Sequence, residues 1–265
     1  MRVFIAGALA LTVGGQACAA DLPLPGPSPG RAYFPTIAPT YDWSGLYLGA
    51  NGGYGFGHSN WTDPSNPAAL STGDFRTSGF LFGGTLGANM QVGALVFGVE
   101  ADIGWSNIKG SVAPATLFCA EPISLTAVAA NCETKNDWLG TARARVGVAA
   151  DRVLFFATAG AAFGDLLTGV TGAAAGFSPA PGTFQSSTVL GWTAGAGAEV
   201  AFAQNWTAKV EYLFVNLGNA SCNVLSSCGF DVISASGANN IQASDTVKFS
   251  TNLVRFGINY KFGPW

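Results

Sequence analysis

The sequence predicts an all-β fold: an eight-stranded antiparallel up-and-down transmembrane β-barrel with four long extracellular loops and short periplasmic turns. Three observations carry that prediction. Successive segments alternate apolar and polar side chains with a period of two, which gives each strand one greasy and one polar face. The connections between those segments alternate long and short, beginning with a long one, as in barrels whose loops face the cell exterior and whose turns face the periplasm. Finally, mean hydropathy is positive and only 10% of residues are charged, yet no stretch reaches the roughly 20 apolar residues of a membrane helix. Strands with one face in lipid account for that hydropathy. An open sheet would leave edge N–H and C=O groups in hydrocarbon, so closure is required. With 36 glycines and many alanines on both faces, the barrel should be narrow.

The N-terminus reads as a signal peptide over residues 1–20. Arg2 supplies the positive start, Val3 to Val13 the apolar run, and Ala17, Ala19 and Ala20 the small residues before cleavage at Ala20 or Asp21. Cys18 suggests a lipoprotein, but Gly15-Gln16-Ala17 lacks the Leu such signals carry three residues before the cysteine. Residues 21–41 hold Pro23, Pro25, Pro27, Pro29, Pro35 and Pro39, a spacing that favours extended chain over a packed helix. They are expected to form a periplasmic leader. The barrel occupies residues 42–265.

The strands follow in order. In Trp43 to Gly57, Leu46, Leu48, Ala50, Tyr54 and Phe56 face out, and Tyr47, Gly49, Asn51 and Gly53 face in. His58 to Thr77 is polar and reads as a loop. The second strand, Ser78 to Val92, turns Phe80, Phe82, Leu86, Met90 and Val92 out and Thr85, Asn89 and Gln91 in. After Gly93-Ala94, the third strand (Leu95 to Ser106) alternates most cleanly, with Leu95, Phe97, Val99, Ala101, Ile103 and Trp105 outward. A long loop spans Asn107 to Asn136. The fourth strand, Asp137 to Ala149, places Thr141, Arg143 and Arg145 inward, and the fifth, Val153 to Gly164, places Thr158 inward. Asp165 to Ser187 is the third loop. The sixth strand (Thr188 to Phe202) has Thr193 and Glu199 inside, and the seventh (Trp206 to Gly218) has Lys209 and Glu211 inside. Gly218 to Asp245 is the fourth loop. The last strand carries Phe256, Ile258, Tyr260 and Phe262 on its lipid face, and it must pair with the first to shut the barrel.

Asp42-Trp43-Ser44-Gly45-Leu46-Tyr47-Leu48-Gly49-Ala50-Asn51-Gly52-Gly53-Tyr54-Gly55 resembles the opening strand of the small outer-membrane β-barrel proteins of alphaproteobacteria, the porin-like surface proteins, and with them the OmpA-type eight-stranded barrel. So do Asp137-Trp138-Leu139-Gly140-Thr141-Ala142-Arg143, Lys209-Val210-Glu211-Tyr212-Leu213-Phe214 and the final strand. The resemblance implies an outer-membrane location and a structural role in the envelope as a surface antigen. It also implies that the barrel-assembly machinery reads Arg255, Gly257, Tyr260 and Phe262 as an assembly signal. Such chains usually end on the aromatic, whereas Gly263-Pro264-Trp265 follow here.

The inward charges are Glu100, Asp102, Arg143, Arg145, Glu199, Lys209, Glu211, Arg255 and Lys261. Acids and bases nearly balance, so they can form an ion-paired plug in a lumen just wide enough for side chains. Glu199 and Lys209 face each other across a short turn and should be neighbours. The alternative is an ion-selective pathway, hence a small-solute porin, as a monomer or self-oligomer. A third reading is a loop-mediated adhesin or receptor. Cys119 and Cys132 share one loop and Cys222 and Cys228 another; in an oxidising compartment these four are candidate disulfide partners, with three possible pairings and local pairing the simplest. His58 next to Ser59 raises lipid hydrolysis, although no further catalytic constellation accompanies the pair. No cofactor, metal or catalytic residue is expected. A net charge of −3 without a basic cluster gives no argument for nucleic acid. The expected partners are outer-membrane lipids and the assembly machinery.

Gly257→Asp or Phe262→Asp should prevent assembly, one by charging a crowded inner wall and the other by charging the lipid face. Normal heat-modifiable gel migration of either variant in outer-membrane fractions would refute the placement of this strand.

Overall fold

A computed structural model describes residues 41–62, 71–113, 121–123, 126–128, 131–171, 184–223 and 244–263. The expected signal peptide and the expected leader up to residue 40 lie outside the described residues. The strands are β1 (Gly45–Thr62), β2 (Phe75–Val92), β3 (Leu95–Val112), β4 (Glu121–Ile123), β5 (Thr126–Val128), β6 (Asn131–Ala150), β7 (Val153–Thr171), β8 (Phe184–Ala201), β9 (Trp206–Asn223) and β10 (Ser244–Phe262). Eight of them close a barrel in the order β1-β10-β9-β8-β7-β6-β3-β2, every neighbour antiparallel. β4 and β5, which lie between β3 and β6 in the sequence, pair antiparallel as a separate two-stranded sheet. The last strand closes on the first, from Leu46 opposite Phe262 to Thr62 opposite Thr246.

The stagger of the barrel follows from the register. From Trp105 the cross-strand partners run Phe82, Gly52, Phe256, Val210, Ala198, Phe155 and Val148, and return to β3 at Leu95. One circuit therefore slips from residue 105 to residue 95. Ten residues of slip over eight strands, at about 3.3 Å per residue and about 4.8 Å between strands, tilts the strands by roughly 40°. The exposed apolar run of β3, Leu95 to Trp105, then rises about 25 Å along the barrel axis, the height of the lipid band in outer-membrane barrels.

The short connections lie at one end. Gly93-Ala94 joins β2 to β3 and Asp151-Arg152 joins β6 to β7. Gly93 has a φ of 62° and Asp151 a φ of 52°. Two-residue turns need this left-handed backbone, which Gly adopts freely and Asp tolerates through its short polar side chain.

At the other end the strands run past the segments whose composition suggests loops. β1 reaches Thr62 and β2 starts at Phe75; β3 reaches Val112 and β6 starts at Asn131; β7 reaches Thr171 and β8 starts at Phe184; β9 reaches Asn223 and β10 starts at Ser244. His58 therefore sits on a strand, not in a loop. The cause is an inversion of facing. Within the lipid band apolar side chains point out and polar ones in. Above it, Trp61, Phe75, Ile108, Leu166, Leu217, Val247 and Phe249 point in and pack into one buried cluster, while His58, Asn107, Lys109 and Lys248 point out. The period of two survives, but its apolar phase changes side, so the sequence looks irregular where the ladder is continuous.

β6 absorbs part of this through a register shift between Lys135 and Leu139. The Asp165 carboxylate on β7 accepts the N–H groups of Asp137 (2.9 Å) and Trp138 (3.0 Å) there, and Asn136 Nδ2 donates to the Asp165 carbonyl at 2.7 Å. The first two bonds satisfy backbone donors, and the third a backbone acceptor, at the place where the bulge interrupts the ladder.

Trp61, fully buried and donating from Nε1 to Thr134 Oγ1 at 2.8 Å, distinguishes a packed core from a loop. Trp61→Ala should lower unfolding stability by about 3–5 kcal/mol, measured by urea titration of the refolded barrel. A change within about 0.5 kcal/mol, as for a surface site, would contradict the extended core.

Candidate functional site: the lumen

Three layers fill the lumen. The central layer is ionic. Arg143 on β6 pairs with Glu100 and Asp102 on β3, the latter at 2.7 Å, and with Glu211 on β9 at 2.5 Å. Arg255 on β10 pairs with Glu211 at 2.6 Å and approaches Asp102 at 3.5 Å. Lys209 on β9 reaches Glu100 at 2.7 Å, and Arg145 on β6 pairs with Glu199 on β8 at 2.7 Å. Each of these side chains is at most 4% exposed. Among the described residues the network holds Glu100, Asp102, Glu199 and Glu211 against Arg143, Arg145, Lys209 and Arg255, so its formal charge is zero.

Neutral side chains complete the shell. Tyr47 on β1 donates to Glu100 at 2.7 Å and accepts from Arg145 at 3.0 Å. Its ring lies across the lumen because Gly87 opposite has no Cβ; one added there would collide with the ring. Thr85, Thr141 and Asn51 donate to Asp102 at 2.9, 2.8 and 3.3 Å. Thr207 and Asn259 donate to Glu199 at 2.5 and 2.8 Å. The Arg145 guanidinium also stacks 4.3 Å from the Phe156 ring centre.

Apolar layers lie on both sides. Above is the cluster around Trp61, Ile108 and Phe249. Below, Tyr41, Trp43, Val96, Leu154 and Phe156 fill the periplasmic mouth. Trp43 is strapped across that mouth: its N–H donates to Gln91 Oε1 at 2.7 Å and its Nε1 to the Asp151 carbonyl at 3.2 Å. Burial, foremost, pushes the Tyr41 phenol up to about 12, so it stays neutral at physiological pH.

Several sequence expectations change here. Lys261 is not in the network. It lies at the periplasmic rim, donates to the Asp42 carbonyl and sits 4.6 Å from the Tyr41 ring centre, because its strand position is already past the last lumen acid. Glu199 and Lys209 are opposite in register but take different ion partners, since both chains extend across the lumen rather than toward each other. His58 and Ser59 cannot act together. Adjacent strand residues point to opposite faces; His58 is exposed outside, while Ser59 is buried against Thr134 at 3.0 Å. In the expected assembly signal, Arg255 belongs to the ionic layer and Gly257 faces inward near Asn51 and Lys209. Tyr260 packs outside between Trp206 and Phe262, ring centres 5.1 and 5.2 Å apart. Cys132 is buried and disulfide-bonded; Cys119, Cys228 and the side chain of Cys222 lie outside the described residues. The role of Asp165 at the bulge and that of Tyr47 in the network were not anticipated. The inward facing of Tyr47 was the one available signal.

The family model described as outer membrane protein beta-barrel domain matches residues 6–263. The chain belongs to this family. It is 32% identical over 271 residues to the 31 kDa outer-membrane immunogenic protein of Brucella melitensis, covering 99% of this chain and all of that one. The 25 kDa outer-membrane immunogenic protein of Brucella canis is 29% identical over 85% of this chain and 82% of its own length. The 22 kDa outer membrane protein of Rhizobium leguminosarum bv. viciae is 30% identical over 85% of this chain and 81% of its own. Among solved structures, the outer membrane protein OprG from Pseudomonas aeruginosa covers 84% of this chain and is itself covered to 99%, at 10% identity and a TM-score of 0.44, too low to carry chemistry across. The chain is thus an outer-membrane β-barrel protein.

Arg143 holds three acids from two walls. Arg143→Met should cost about 3–5 kcal/mol, because buried carboxylates lose their partner. Lys135→Met, which removes the partly exposed pair with Glu133 and the ammonium contact over the Phe184 ring, should cost no more than about 2 kcal/mol. Urea midpoints of the refolded variants would check both.

Proposed function

We propose that this outer-membrane barrel is a structural, non-enzymatic surface protein that supports envelope integrity, with a closed lumen. The observation that carries this reading is the neutral ionic layer held between two apolar layers. A conducting path needs water-accessible polar lining, whereas here the charges are buried and mutually paired and both exits are lined by packed apolar side chains. The relatives are named as immunogenic outer-membrane proteins, which supports display of the loop end at the cell surface. The aromatic pair Tyr260 and Phe262, exposed on the closing strand, offers the assembly machinery an accessible feature.

Two measurements test this. The refolded chain in planar bilayers should show no sustained stepwise openings. A deletion strain should become sensitive to detergents while its uptake of small solutes stays unchanged. Steady unitary currents, or a selective loss of solute uptake, would favour a porin and overturn the closed-lumen reading.

A further inference from the structure

Above the lipid band the outer wall is charged on one side. His58 on β1, Arg76 on β2, Lys109 on β3 and Lys248 on β10 are all exposed and point outward. Each lies two to six residues beyond the last lipid-facing residue of its strand: Phe56, Phe80, Trp105 and Val254 in turn. At about 3.3 Å per residue and roughly 40° of tilt, that is about 5–15 Å outside the apolar band, within reach of lipid headgroups for long basic side chains.

The barrel order sets these four strands side by side as β10-β1-β2-β3. The ladder brings the residues together: His58 is opposite Arg76, Lys248 is opposite Asn60, and Lys109 is opposite Ser78, two residues from Arg76. The far wall differs. Among the described residues, β7 and β8 carry no Lys or Arg, and Lys209 of β9 is committed to the lumen. Nearby acids cancel the arc only in part. Exposed Asp74, held by the neutral Asn60 amide at 3.0 Å, keeps its charge beside it and stands as one carboxylate against Arg76, Lys109 and Lys248; Glu133 is paired with Lys135, itself stacked over Phe184, and exposed Asp137 lies beyond them on β6. At the edge of the arc a cleft of about 630 Å³ is lined by His58, Asn60, Asp74, Asn216, Asn219 and Lys248. Directly below lies a wall of exposed aromatics, with Phe80 and Phe82 on β2 and Trp105 on β3.

We propose that this arc binds the phosphorylated headgroup of an outer-leaflet lipid, with its acyl chains against the aromatic wall and its phosphate on Arg76, Lys109, Lys248 and His58. Lys and Arg are the side chains that hold phosphate through charge-assisted hydrogen bonds. A lipid is favoured over a soluble anion because the bases stand on the lipid-facing side, immediately above the surface that would take its chains. The inference does not depend on whether the lumen is closed.

The test uses the refolded chain in maltoside micelles, titrated with a fluorescent diphosphorylated lipid A, with its dephosphorylated counterpart, and with inorganic phosphate as competitor. Binding of the diphosphorylated lipid should be at least about tenfold tighter than that of the dephosphorylated one. A triple variant, Arg76→Gln with Lys109→Gln and Lys248→Gln, should lose on the order of 10- to 100-fold in affinity and bind both lipids alike. All three side chains are exposed, and heat-modifiable migration checks that the variant folds. Should it not, Lys109→Gln alone and the weakening of wild-type binding with rising salt serve the same purpose. Equal binding of the two lipids, or undiminished binding by the folded variants, overturns the proposal. Displacement of the lipid by low millimolar phosphate overturns the lipid assignment in favour of a soluble anion.

Discussion

The structure depends on one constraint: among the described residues, no charge in the ionic layer of the lumen is left without an opposite charge. Arg143 shows why. It starts on β6, spans the interior and joins Glu100 and Asp102 of β3 to Glu211 of β9, strands that do not neighbour one another in the case of β6 and β9. A backbone ladder alone holds each strand only to its two neighbours. The guanidinium adds cross-bracing. The bracing is not free of strain on the ledger of polar groups: the Nε atoms of Arg143, Arg145 and Arg255 are buried without a partner, and each such group costs about 1–3 kcal/mol. The network therefore acts less as a source of net stability than as a device that admits one arrangement of the walls.

Apolar packing seals that layer from both directions, by different means. On the outer side the strands themselves supply the seal, through the inward run of Trp61, Ile108, Leu217 and Phe249. On the periplasmic side the seal comes from residues just ahead of β1. Trp43 crosses the mouth and is held by Gln91 and Asp151; Lys261, at the rim, closes over Tyr41. The chain thus stoppers its own barrel before it begins to build it.

How much of this could be read from the residues depended on where along the axis they lie. Within the lipid band the period of two, the closing pairing of the last strand with the first, and the inward facing of Glu100, Arg143, Glu199 and Glu211 are visible in the sequence, because one face is apolar and the other is not. Above the band both the polar outer wall and the apolar interior resemble loop composition when read without their backbone, so Trp61, Phe75 and Ile108 give no strand signal. The partner choices inside the lumen were legible only in part. Glu100 and Arg143 are opposite in register and do pair. Lys209 passes over Glu199 to reach Glu100, a contact set by the ten-residue slip of the sheet and the length of the side chain, neither of which a local pattern carries. Lys261 was misplaced for the same reason: facing can be read from alternation, but height cannot.

The inversion of facing along each strand has a consequence for how faithfully the chain finds its register. A slip of one residue in any ladder exchanges the two faces of that strand along its whole length. In a barrel with a single apolar band the error would be felt once. Here it would drive charges into lipid in the lower half and, in the same motion, turn Trp61 or Phe249 out into water in the upper half. The two halves act as independent readers of the same alignment, one judging it from within the membrane and the other from outside, and only the native pairing satisfies both.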